Sequence, residues 1–278
     1  MPPSWCSPAP TSRDVTEPGA AAGPLPAAFD AFVAEPHRSG LFTDFDGTLS
    51  PIVDDPAAAA PLDGVVDALD ALARRLGRVA VISGRPVEFL LGHFAASPVV
   101  LSGLYGLQSV VDGVRRDDPD AEAWREAVDG VVAAAGDDGP VGMFVEHKVL
   151  SVTLHYREHP EVADAVRSWA EAQATRSGLE LRTAKMSIEL HPPVATDKGA
   201  VVAGLAEGLD HVCFLGDDVG DLPAFAALDR LRAEGRSVVK VVVRSDELAP
   251  EMAAAADLTV DGPAEALALL RSLGARLV

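Results

Sequence analysis

Asp44 and Asp46 sit in Thr43-Asp44-Phe45-Asp46-Gly47-Thr48, directly behind an apolar run. Two carboxylates held there without a partner are costly. A hard cation such as Mg²⁺, which takes carboxylate oxygens, relieves that cost. Ser83-Gly84-Arg85 follows a second apolar run, and its hydroxyl, pliant backbone and guanidinium are donors suited to a phosphoryl group. A third run ends in Gly216-Asp217-Asp218-Val219-Gly220-Asp221, three acids within five residues. Lys198 opens a helical pattern in Ala195-Thr196-Asp197-Lys198-Gly199, where its charge opposes the helix dipole. Each cluster alone has an ordinary reading: a surface Asp-Gly turn, a strand-to-helix cap, a solvated helix start, an exposed lysine. Brought to one edge of a sheet, five carboxylates repel one another unless a cation joins them, and Lys198 gains a reason to be there.

These residues need a scaffold that places them together. Apolar residues recur as short runs at 41–45 and 79–82, with a helical pattern over 62–76 between them. The order returns late in the chain: a helix at 200–206, a strand at 212–215, a helix at 222–228, a strand at 238–243 and a helix at 264–273. Strands alternating with helices imply a parallel sheet with right-handed crossovers, and such sheets bind ligands at the carboxyl ends of their strands. The middle differs. Residues 109–115 form a hairpin pattern around Asp112-Gly113. Helical patterns at 121–135 and 161–175, the second stopped by Gly178, are interleaved with alternating strands at 141–145, 149–156, 179–182 and 186–190. The expected fold class is α/β: a Rossmann-like core of residues 27–107 and 192–278, interrupted by an α+β domain of residues 108–191. Residues 1–26, rich in Pro, Ala, Ser and Gly, read as a disordered tail.

At 278 residues the chain suits about two domains. Its 48% hydrophobic and 23% charged residues are those of a globular protein, and its net charge of −19 argues against nucleic-acid or anionic-membrane partners. Two cysteines make no disulfide framework: Cys6 is in the tail, and Cys213 sits in an apolar run, as a buried thiol would. No apolar run approaches the ~20 residues that span a bilayer. The first residues lack a basic and hydrophobic leader, so the cytoplasm is the expected compartment. The expected partner is a small molecule, and the expected state a monomer.

The four clusters, in this order, resemble the motifs of the haloacid dehalogenase superfamily of aspartate-nucleophile phosphotransferases: Asp44 to Thr48, Ser83, Lys198, and Gly216-Asp217-Asp218 with Asp221. An insertion between Ser83 and Lys198 resembles the C2-capped branch. Within it the chain resembles the trehalose-6-phosphate phosphatase family, through the opening motif that runs on to Pro51-Ile52, through Ser83-Gly84-Arg85, through Glu146-His147-Lys148 with His155-Tyr156-Arg157, and through Lys185-Met186-Ser187-Ile188-Glu189-Leu190-His191-Pro192. His191 stands where that family usually has Arg. Val219-Gly220-Asp221-Leu222 stands where it usually reads x-Thr-Asp-Glu.

The resemblance implies Asp44 as nucleophile and Asp46 as general acid and then base. It implies that Ser83, Gly84 and Lys198 bind the phosphoryl group. Mg²⁺ would be held by Asp44, the Asp46 carbonyl, Asp217 and Asp221, with Asp218 orienting Lys198 or a metal-bound water. Arg85, Glu146, Lys148 and Glu189 would meet the sugar. Trp124, Trp169, His155 and His159 read as packing or surface residues. Two other readings stay open: a phosphatase for another sugar phosphate, such as glucosylglycerol phosphate or mannosyl-3-phosphoglycerate, and an inactive sugar-phosphate-binding regulatory module.

Overall fold

Among the described residues there are twelve strands, the central ones built on apolar runs: β1 Ser39–Thr43, β2 Arg78–Ile82, β3 Val100–Gly103, β4 Gln108–Val111, β5 Val114–Asp117, β6 Phe144–His147, β7 Val152–His155, β8 Glu180–Ala184, β9 Ser187–His191, β10 His211–Gly216, β11 Ser237–Arg244 and β12 Leu258–Asp261. The computed structural model describes residues 24–53, 55–184, 186–245 and 248–277. The tail over residues 1–23, with Cys6, and the motif residue Lys185 lie outside the described residues.

Eight strands form one sheet in the order β12-β11-β10-β1-β2-β3-β4-β5, parallel from β12 to β3. β1 is buried along its whole length, as a strand covered on both faces must be. Thr43 is level with Val81 on one side and Leu215 on the other, so the residues that follow all three strands leave from one edge. Alternate side chains supply two cores. Leu41, Val81, Cys213 and Val241 meet the helices Val65–Ala73, Val87–Phe94 and Gly262–Arg276. Phe42, Ile82, Phe214 and Val242 meet the helices Lys198–Leu205 and Leu222–Ala233. Burying each such large side chain stabilises the fold by ~1.5–3 kcal/mol.

The hairpin counted from residue 108 with the insertion turns at Asp112 and Gly113, with φ of 51° and 73°, as the Asp-Gly pair requires. Its first strand, β4, pairs antiparallel with β3, Ser102 opposite Ser109, and Val110 joins the core cluster. It extends the core sheet, because β3 would otherwise present an open edge. The second sheet is separate, antiparallel and ordered β6-β7-β9-β8. The helices Arg125–Asp138 and Ala163–Ser177 cover one of its faces, Val128, Val131 and Val166 packing on Val152, Leu154, Ile188 and Leu190. Gly178 ends the second helix with φ 79°. Trp124 and Trp169 pack on this cluster, as their helical spacing predicts.

The uncovered face of this cap sheet is polar. Glu146 is opposite Thr153, Thr153 opposite Glu189, and Glu189 opposite Arg182. Opposed residues share a face, so these four make one row across all four strands.

Candidate active site

The acidic centre forms where β1 and β10 end. Asp44 continues the ladder, its N–H donating to the Leu215 carbonyl at 2.8 Å. Lys198 is the first residue of its helix, whose N-cap Asp197 accepts from the Ala200 N–H. Its Nζ lies 2.8 Å from Asp44 Oδ1 and 2.6 Å from Asp221 Oδ1. The other oxygen of Asp221, a fully buried residue, accepts the N–H groups of Asp217 at 2.9 Å and Asp218 at 3.3 Å. Thr48 donates to Asp217 Oδ1 at 3.2 Å. Gly47 is indispensable to this approach: it has φ 74°, and a Cβ there would lie 2.0 Å from Asp217 Oδ2.

Asp44, Asp217 and Asp221 each offer an oxygen within 4.8 Å of the others, all three buried. Burial and the charges of Asp221 and Asp218 push Asp217 up to about 8. Burial likewise raises Asp44 well above the carboxylate range, against the pull of Lys198. Lys198 is held protonated: burial lowers it, but Asp221 and Asp44 together outweigh that. With all three carboxylates ionised, the one ammonium would leave two negative charges uncompensated, which is why burial raises them. A divalent cation with a preference for oxygen fits both the donors and the charge.

Of the five acids read from the sequence, two direct their carboxylates elsewhere. Asp218 accepts from the Gly220 N–H at 2.8 Å and caps the turn Val219–Asp221. Asp46 is gripped by Arg85, Nε and Nη2 each 2.8 Å from a carboxylate oxygen. Arg85 also donates to the Pro56 carbonyl at 2.6 Å and lies over the Phe89 ring at 4.5 Å. Arg85, expected at the sugar, therefore partners the acid/base candidate. Ser83 is buried beside them. Its N–H donates to Ser102, and its Oγ accepts the Arg85 N–H at 3.1 Å, which leaves its hydroxyl proton for a ligand.

Across from this edge stands the polar row of the cap. Lys148 Nζ lies 3.5 Å from the Gly84 carbonyl, 3.8 Å from Glu146 and 3.9 Å from Glu189. Glu146 accepts from His155 at 2.8 Å. Burial pushes its carboxyl up, but His155 and Lys148 hold it below the ordinary range. Glu189 accepts from Ser151 at 2.7 Å. Thr153, in the middle of the row, has a buried hydroxyl without a partner. His191, at the end of β9, donates to the Pro192 carbonyl; burial and the Arg182 charge lower it, so its ring is neutral. His159 is exposed and faces Glu161. Thr48 lies inside the opening motif but is given no role by it, and Ser151, Thr153 and Arg182 are not singled out by the sequence. Thr153 and Arg182 become visible only once the register places them beside Glu146 and Glu189.

Residues 42–264 match the trehalose-phosphatase family. A trehalose-phosphate phosphatase of Mycobacterium leprae is 34% identical over 246 residues, which is 81% of this chain and 55% of that protein. One from Mycobacterium ulcerans is 33% identical over 86% of this chain and 62% of its own length. The chain thus spans little more than half the length of these curated relatives. The trehalose-6-phosphate phosphatase structure from Aspergillus fumigatus superposes with a TM-score of 0.61 at 27% identity, covering 91% of this chain and 98% of that one. With the buried acidic centre already in place on the sheet edge that its motifs predict, the chain belongs to the trehalose-phosphatase family.

Proposed function

We propose that this protein is a Mg²⁺-dependent phosphatase that releases phosphate from trehalose 6-phosphate through an aspartyl-phosphate on Asp44. The observation that carries the reading is the buried Asp44, Asp217 and Asp221 group, joined to Lys198 and set opposite the cap's polar row. An Asp44 oxygen attacks phosphorus, and the bond from phosphorus to the sugar oxygen breaks. Asp46 gives that oxygen a proton, then takes one from the water that attacks the aspartyl-phosphate and frees Asp44. Lys198, the Ser83 hydroxyl and the Gly84 backbone hold phosphoryl oxygens. Asp44, Asp217 and Asp221, with the Asp46 carbonyl as a further donor, would hold Mg²⁺, which would supply positive charge against the transferring phosphoryl group.

Glu146, Lys148 and Glu189 are assigned to the sugar hydroxyls, with Thr153 as a further partner. A disaccharide rich in hydroxyls suits a wall of carboxylates, an ammonium and an orphaned hydroxyl. The buried free thiol of Cys213 suits the reducing cytoplasm, and a monomer is sufficient for the chemistry. The test is a panel of esters with Mg²⁺ or chelator: trehalose 6-phosphate, glucosylglycerol phosphate, mannosyl-3-phosphoglycerate and p-nitrophenyl phosphate. Trehalose 6-phosphate should show the highest kcat/KM, and chelation should abolish release until Mg²⁺ is restored. A higher value for another sugar phosphate would replace the substrate. No metal-dependent release from any ester would leave the inactive binding module.

A further inference from the structure

Behind the Ser83-Gly84 turn lies a residue that has no part in the chemistry above. Leu104 and Tyr105 follow β3 with φ of 50° and 56°, two consecutive left-handed residues of which neither is glycine. Such backbone persists only where its surroundings fix it, and it concentrates at working sites. Three hydrogen bonds fix it here. The Leu104 N–H donates to the Arg85 carbonyl at 3.0 Å, and the Tyr105 N–H donates to the Ser83 carbonyl at 3.1 Å. The Thr196 hydroxyl donates to the Tyr105 carbonyl at 2.9 Å. Tyr105 is tied at once to the phosphoryl-binding turn and to the segment that leads into Lys198.

The ring joins core to cap. It lies against the bare backbone of Gly84, where a Cβ would come within 2.6 Å of its hydroxyl oxygen. It also carries the Arg182 guanidinium, whose Cζ is 4.2 Å from the ring centroid. Arg182 belongs to β8, directly opposite Glu189 in register, and its Nη1 lies 3.5 Å from Glu189 Oε2. Burial pushes the Tyr105 hydroxyl up, so the ring is neutral and attracts the guanidinium through its π-face.

We propose that Tyr105 is a positioning residue for sugar recognition: its ring seats Arg182, and Arg182 holds Glu189 at a set distance from the Ser83-Gly84 turn. The spacing between the phosphoryl site and the sugar wall is thereby fixed by one continuous line of contacts. The proposal rests on the reading of the cap row as the sugar-binding wall.

A double-mutant cycle on the full chain tests it, with Tyr105→Leu to remove the ring, Arg182→Met to remove the charge at similar length, and Tyr105→Phe as the conservative variant. Each is measured on trehalose 6-phosphate and on p-nitrophenyl phosphate, after thermal melting shows that it folds. Tyr105→Leu and Arg182→Met should each raise KM for trehalose 6-phosphate about three- to thirtyfold, the range of a sheltered cation–π contact. The preference for the sugar ester over p-nitrophenyl phosphate should fall by the same factor. The double variant should be no worse than the poorer single variant, and Tyr105→Phe should stay within about twofold of wild type. Additive effects would overturn the proposal, as would equal losses on both esters, or a Tyr105→Phe variant as impaired as Tyr105→Leu. If the wild-type panel favours a different sugar phosphate, that ester replaces trehalose 6-phosphate in the cycle, so the substrate reading and the positioning proposal fail separately.

Discussion

Asp44 differs from asparagine by a single terminal atom, yet only the carboxylate is an effective nucleophile. Asp44→Asn should therefore leave the melting temperature near that of wild type and abolish turnover; substantial phosphate release by the purified variant would remove the nucleophile assignment. Asp46→Asn should lower kcat by about 10²–10⁴-fold, the usual worth of a positioned proton donor. Asp217 makes a claim about pH. Its carboxyl titrates near 3.8 in the unfolded chain and about 8 in the metal-free fold. Between those values the fold holds a proton that the unfolded chain has released, so this carboxyl's contribution to stability is greatest at low pH and falls as pH rises, with the loss complete above about 8. Melting of metal-free protein at pH 5 and pH 8.5 should show that fall, and Asp217→Asn should flatten it. The acids and Lys198 were legible in the sequence because each follows an apolar run or opens a helix. The grip of Arg85 on Asp46 was not, since spacing along a chain does not say which way a side chain turns. Asp218 shows the same limit: it is adjacent to Asp217 in sequence, yet its carboxylate caps a turn.

Strands, helices and turns decide which of these side chains meet. The turn after β1 works only with glycine at 47, so Gly47→Ala should strain the backbone and push Asp217 aside. The expected result is a Mg²⁺ requirement raised at least tenfold in an otherwise folded protein, read by titrating Mg²⁺ against rate. The cap row makes a selective prediction. Losing a hydrogen bond to a charged group is worth ~1.5–3 kcal/mol, or about ten- to a hundredfold in kcat/KM. Glu189→Ala should lower kcat/KM by that factor on trehalose 6-phosphate and much less on p-nitrophenyl phosphate, whereas Lys198→Ala should impair both. Equal losses from Glu189→Ala would assign it to stability. The parallel strands and their helices could be read from apolar runs and 3.6-residue spacing. β3 and the helix Val87–Phe94 were not picked out, β3 being only four residues long. The Asp-Gly hairpin was recognised locally, but its attachment to the core depends on an edge that only the assembled sheet presents.

For the molecule as a whole, metal and fold are linked. A cation that binds the three buried acids only when they are assembled stabilises the native state, by about 2.7 kcal/mol at a hundred times its dissociation constant. Excess Mg²⁺ should therefore raise the melting temperature of wild type and do so far less for Asp217→Asn. Among the described residues no helix is long and apolar enough to cross a membrane. The strand order has one further consequence, in time. β1 pairs with β10, about 170 residues later in the chain, while the cap sheet closes entirely within residues 144–191. At the usual pace of synthesis that separation is roughly ten to thirty seconds. The cap sheet gains its last strand only at His191, so for roughly the last one to four seconds of that interval it has all its own partners, whereas β1 still lacks one neighbour and Asp44 still lacks Asp217. On the ribosome, the sheet proposed to read the sugar is complete before the acidic centre proposed to cleave the ester, and a chain interrupted between them would carry Asp44 without Asp217 beside it.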